Sequence, residues 1–106
     1  MLPKNRAPAW YALCRTFSSL PEALRGGVSR QMHAHYRRIA HLPRDVGEDL
    51  DRRAAPLSIV RWVAWGDGEA EARARHAAAV AHHARAGRWP GPRERAKCLR
   101  DTPRAA

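Results

Sequence analysis

Several ingredients are scarce in this chain, and each shortage removes a class of protein. The two cysteines, Cys14 and Cys98, stand far apart without a local pairing motif, whereas a disulfide-built secreted domain of this size carries more. A reducing compartment, the cytoplasm, is therefore expected. No apolar run approaches the roughly eighteen residues that a membrane span requires, and the longest, around Leu57 to Gly66, is interrupted by Arg61. The apolar stretch from Ala7 to Cys14 is too short and too aromatic for a signal core. No phosphate-binding glycine loop, nucleophile motif or paired acid with a cleft signal is present, so neither catalysis nor a cofactor is expected.

Acidic side chains are scarce as well: 10 against 20 basic ones, for a formal net charge of +10. Such an excess favours a polyanionic partner, because neutralising phosphates releases counterions and supplies affinity before any base is read. Only Lys4 and Lys97 are lysines; the preference for arginine, with abundant Ala, Gly and Pro, reads as the codon usage of a GC-rich genome. The placement of charge says more than its sum. Residues 1–43 carry a net +6, residues 44–71 a net −3 and residues 72–106 a net +7. A phosphate-facing surface is thus expected from the two ends. At 106 residues the chain can bury one modest core, so a single domain is expected, with a core over residues 8–66 and a long helix and basic tail over 67–106.

What is present centres on Leu20 to Pro43. Pro21 suits the first turn of a short helix carrying Ala23 and Leu24, and Gly26-Gly27 lets the chain turn sharply and restart. Ser29 is placed to cap the restart. In the second helix Val28, Met32, Tyr36 and Ile39 share an apolar stripe, with Arg30, Gln31, Ala34 and Arg38 opposite. Short helix, glycine turn and a longer helix with guanidinium and amide groups outside is what a helix-turn-helix needs to set a recognition helix in the major groove. A plain helical hairpin in a small bundle would show the same pattern.

Over this quarter of the chain the residues resemble the Cro-type and YdaS-type phage repressors and antitoxin-like regulators. Ala23, Gly27-Val28-Ser29, Tyr36, Arg37-Arg38 and Leu42-Pro43 stand at that pattern's spacings. Gly26 replaces the usual leucine before the turn glycine, and His33 occupies an apolar core position of the recognition helix. The resemblance implies duplex-DNA binding through that helix, including Arg37.

Around the motif, Pro8 opens a first helix in which Trp10, Leu13, Cys14 and Phe17 form a stripe, Cys14 reading as a small core residue. Asp45 to Arg53 forms a short helix burying Val46 and Leu50 and exposing Glu48, Asp49 and Asp51, a solvated face and not a metal cluster. Pro56 to Gly66 has the β-branched and aromatic content of a strand but the Pro start and Gly stop of a helix; helix is the choice, with Ile59, Val60 and Val63 inside and Trp62 or Trp65 left for a partner or the next helix. Asp67-Gly68 introduces a long helix to Ala86, whose row of Ala70, Ala74, Ala77, Ala81 and Ala84 is expected to be the inner seam, packing on the domain's own core or, through Ala74, Ala77 and Ala81, on a second copy of the chain. The six histidines lack the convergence a metal site needs and read as polar surface groups. A short helix from Pro92 to Arg100 would add Arg93, Arg95, Lys97 and Arg100, with Trp89 nestled in the fold or stacked on a base.

The reading is an all-α bundle of about five helices with a helix-turn-helix, not an enzyme, that binds duplex DNA as a small phage-type regulator or accessory factor. Its expected nucleic-acid contacts are Arg30, Gln31, Ala34, Arg37, Arg38, Arg93, Arg95, Lys97 and Arg100, with no metal and no membrane. The rival is a small protein-binding inhibitor, anti-CRISPR-like, that attaches to a nucleic-acid-processing complex.

Overall fold

Buried apolar side chains recur on successive short helices, and these helices close around them. A computed structural model describes residues 8–21, 26 and 30–103, and among them six helices and no strand are found. They are α1 (Trp10–Ser19), α2 (Arg30–Ala40), α3 (Arg44–Arg52), α4 (Leu57–Ala64), α5 (Gly68–Ala86) and α6 (Arg95–Asp101). The protein is a small all-α bundle. Ala23, Leu24, Gly27, Val28 and the Ser29 cap lie outside the described residues, as does the side chain of Arg30. Gly26 is a turn residue with φ +50°.

The most apolar stretch settles as a helix at the centre of the bundle. Pro56 precedes the first turn, where its missing N–H costs nothing, and Ile59, Val60 and Val63 are almost fully buried. Helix α4 touches α1, α2 and α5, while α1 also packs on α2 and α3, and α3 on α5. One hydrophobic cluster joins Tyr11, Cys14, Ile39, Val46, Leu50, Val60 and Ala79, drawn from all five of these helices. Gly66 lets the end of α4 pass close to α5, because a Cβ there would meet the Ala72 backbone nitrogen at 2.9 Å.

Helix α1 is rotated from the expected stripe. Tyr11 and Cys14 are buried, Trp10 and Phe17 are half-buried, and Leu13 is 51% exposed. The physical reason lies on α3. Gly47 sits in the middle of that helix with no side chain, and the Tyr11 ring fills the space its Cβ would occupy. Asp51 then fastens the start of α1: its carboxylate accepts hydrogen bonds from the Tyr11 N–H at 2.9 Å and the Ala12 N–H at 3.0 Å. Helix α1 has no side-chain cap of its own, so a carboxylate 40 residues away satisfies the orphan donors of its first turn.

Helix α5 is also turned from its expected seam. Ala72, Ala78 and Ala79 face inward, whereas Ala70, Ala77 and Ala84 are exposed and Ala74 and Ala81 half-buried. Alanines occur all round this helix, so no row stands out by hydrophobicity. The polar side chains set the rotation: Arg75 Nη1 reaches the Trp62 carbonyl at 2.7 Å, His76 Nε2 meets Asp49 at 2.7 Å, and the Cys98 thiol of α6 donates to the Ala78 carbonyl at 2.9 Å. The helix ends as its sequence implies, with Gly87 at φ +72° donating to the His83 carbonyl.

Candidate nucleic-acid interface

The outer face of α2 is the first part of the candidate site. Pro43 follows the helix and Ile39 and Leu42 anchor it, leaving Gln31, Ala34, Arg37, Arg38 and His41 exposed. Tyr36 is half-buried with its ring edge-on to Phe17 at 4.6 Å, which seats α2 on α1. Met32 departs from the expected stripe and is 45% exposed. His33 lies half-buried against Phe17 with ring centroids 6.0 Å apart, filling with a polar ring the position that is apolar in the resembled pattern.

Arg38 does not stand out into solvent as a free cation. Its Nε donates to the Ala64 carbonyl at 3.1 Å, and its guanidinium lies 5.0 Å from the centre of the Trp65 ring. The last carbonyl of a helix has no partner within the helix, and an arginine there also suits the negative end of the helix dipole. Arg75 of α5 repeats the arrangement one turn earlier, bonded to the Trp62 carbonyl and 5.3 Å from the Trp62 ring. Arg61 lies over Trp65 at 5.9 Å, and His35 is 5.0 Å from the same ring. Tryptophan faces attract cations through the ring quadrupole without neutralising them.

The C-terminal candidates divide. Lys97 is paired with Asp101 at 2.6 Å, which holds the Asp101 carboxyl below its ordinary range. Arg95 donates to the Pro90 carbonyl at 3.3 Å and lines a groove against α4. Arg93 and Arg100 are exposed and, among the described residues, make no hydrogen bond. Arg88 takes the carboxylate of Glu94 in two bonds of 2.6 and 2.8 Å, and the Gly91 N–H adds a third; together they push Glu94 down to about 2. Trp89 nestles in the fold, stacked on His83 at 4.4 Å.

The acidic middle is consumed internally. Asp45 grips Arg73 of α5 with bonds of 2.7 and 3.1 Å, and that pairing lowers the Asp45 carboxyl. Asp49 serves Arg53 at 2.8 Å and His76 at 2.7 Å; burial opposes its ionisation, and those bonds outweigh it, so its carboxyl is lowered. Asp51 caps α1, and Glu48 pairs with Arg44 at 2.7 Å. The expectation that Asp49 and Asp51 form part of a merely solvated face is corrected: both are half-buried, because each has a tertiary partner. The histidines are corrected likewise. Only His41 is exposed; the other five are half-buried, against aromatic rings or near carboxylates.

Burial holds both thiols in the protonated form at neutral pH. Burial, with the Asp51 charge adding, pushes Cys14 up to about 11, and burial also raises Cys98. Among the described residues no helix is long and apolar enough to cross a membrane.

No family model, curated protein or solved structure matches this chain. What the chain binds is therefore inferred from the placement of its own side chains.

Sequence reasoning left Trp62 or Trp65 for a partner or the next helix but missed the arginines that gather with them on one face of α4. Its signal was available as Arg61-Trp62 and Trp65 at helical spacing on the side opposite Ile59, Val60 and Val63. The convergence of Arg38, Arg75 and Arg95 on that face comes from tertiary packing alone.

Proposed function

We propose that this protein binds duplex DNA as a small helix-turn-helix regulator or accessory factor, with α2 as the helix that enters the major groove. The observation that carries the reading is the open face of α2, where Gln31, Ala34, Arg37 and His41 are all exposed on a chain of net charge +10. Ala34 lets the helix approach closely, Gln31 offers an amide that can pair bidentately with adenine, and Arg37 reaches for guanine or phosphate. Arg93 and Arg100 supply further phosphate contacts. Arg38 and Lys97, already engaged within the fold, act as supports and not as primary contacts, while Arg95 is turned to the groove against α4. A second copy of the chain, packing on the exposed Ala77, would present two α2 faces to successive half-sites.

The test is an anisotropy titration of random duplex at low salt and of selected duplexes at physiological salt. Gln31→Ala is expected to change sequence preference, and Arg37→Gln to weaken binding. Absence of duplex binding at low salt would end the reading.

The rival, an inhibitor that docks on a nucleic-acid-processing complex, is favoured by one observation: Leu13 and Met32 are large, apolar and exposed on neighbouring helices. Leu13→Asp would then abolish capture of the partner while leaving any DNA binding as it was.

A further inference from the structure

We propose that the groove between α4 and the start of α6 takes one unpaired nucleotide of a single-stranded nucleic acid, its phosphate held by Arg61 and Arg95 and its base set against Trp62 and Trp65. This site lies against α4 and the start of α6, and does not depend on duplex binding.

The groove is lined by Ser58, Arg61, Trp62, Trp65 and Arg95 and measures about 330 Å³, at the small end of ligand-sized clefts, which run from roughly 300 to 1,000 Å³. Every polar group that these side chains bring is a hydrogen-bond donor: a hydroxyl, two guanidinium groups and two indole N–H groups. Among the described residues no carboxylate lines it. Elsewhere in the molecule arginines meet acids, as Arg44, Arg53, Arg73 and Arg88 do. Here they meet neutral acceptors instead. Arg61 rests on the Trp65 ring and Arg95 on the Pro90 carbonyl. Those contacts hold the guanidinium groups in place and leave their charge unspent, so an arriving phosphate does not have to break an ion pair.

Charge alone would admit any anion; the indoles make the site selective for a nucleotide. Trp62 and Trp65 are half-buried, with Arg75 and Arg38 over their respective rings, and both border the groove. A phosphate beside a fixed aromatic surface is the pairing that single-strand binding proteins use, since every base has a stackable face. A base inside a duplex has its faces covered by its neighbours, so the groove selects an unpaired one.

The experiment titrates a short fluorescein-labelled oligothymidylate into the full chain and reads anisotropy and tryptophan emission, with inorganic phosphate, polyglutamate and a blunt duplex as separate competitors. Binding with quenched tryptophan emission is expected, with a loss of about tenfold or more in Arg61→Gln/Arg95→Gln and a salt slope lower by about 0.7 for each phosphate that is no longer neutralised. Arg61→Gln alone changes only an exposed side chain and guards against misfolding of the double variant; it should give a smaller loss in the same direction. Equal affinity in wild type and both variants, or displacement by phosphate or polyglutamate as readily as by unlabelled oligonucleotide, would overturn the proposal. Retained oligothymidylate binding without duplex binding would sink the duplex reading and leave this one standing.

Discussion

Helix α3 and helix α4 lie in the same bundle and handle charge in opposite ways. On α3, Asp45, Asp49 and Asp51 each reach a cation or a helix N-terminus, so the acids act as fasteners between α3 and its neighbours α1 and α5. Around α4, the arginines Arg38, Arg61 and Arg75 gather on tryptophan rings and backbone carbonyls, and among the described residues an ion pair is found for Arg75 alone of the three, with Glu71 at 3.7 Å. Net charge summed along a chain is therefore a poor guide to surface potential. The acids cancel specific partners close to α3, while α2 and α4 carry basic residues and no acidic one.

The sharpest break in this contrast is Gly47→Ala. Alanine is the better helix former by about 1 kcal/mol, yet its methyl would enter the Tyr11 ring, and overpacking of this kind typically costs about 1–3 kcal/mol. A net fall in melting temperature of several degrees is expected, and restoring space with Tyr11→Leu should recover part of it. A rise in melting temperature would show that α1 does not depend on this contact.

Asp51→Ala comes next. Loss of an N-terminal cap costs about 0.5–2 kcal/mol, and here the cap spans two helices, so amide exchange in the first turn of α1 should quicken more than in α5. Uniform quickening would argue against a local fastening role.

On the basic side, neutralising Arg93 and Arg100 together should weaken all duplex sequences about equally and lower the slope of log affinity against log salt by up to about two, near 0.9 for each phosphate contact. An unchanged slope would remove the tail from the interface. Ala77→Glu should convert a dimer to monomer on a sizing column, or leave the elution unchanged if the chain is monomeric.

The smallest effect concerns Glu94. Its carboxyl is depressed from an ordinary 4.5 to about 2, so its contribution is complete above about pH 4.5 and is lost as pH falls toward 2. A carboxyl titration by NMR should find its midpoint near 2, and Arg88→Gln should move it upward.

Much of the scaffold was legible in residue pattern because its signals are local. The stop at Gly87, the start after Pro56, the short helix burying Val46 and Leu50, and the inward turn of Ile59, Val60 and Val63 each follow from a few neighbouring residues. The rotations of α1 and α5 were not legible. On α1, apolar residues at positions 10, 11, 13, 14 and 17 allow two overlapping faces, and the choice falls to Gly47 and Asp51, which are distant in sequence. On α5, rows of alanine differ too little in hydrophobicity to choose among, and the long polar side chains decide.

The sequence by itself determined a helix-rich chain with a basic surplus and an exposed polar face on α2, because periodicity, glycine and proline act within a few residues, whereas the type of the apolar stretch after Pro56 was settled by its burial at the centre of the bundle. Only the tertiary structure decided which cations remain unpaired. An arginine's partner depends on what lies across a helix interface, and Arg38 and Arg95, far apart along the chain, end near the same α4 face because packing brings Trp65 to one and the rim of a groove to the other.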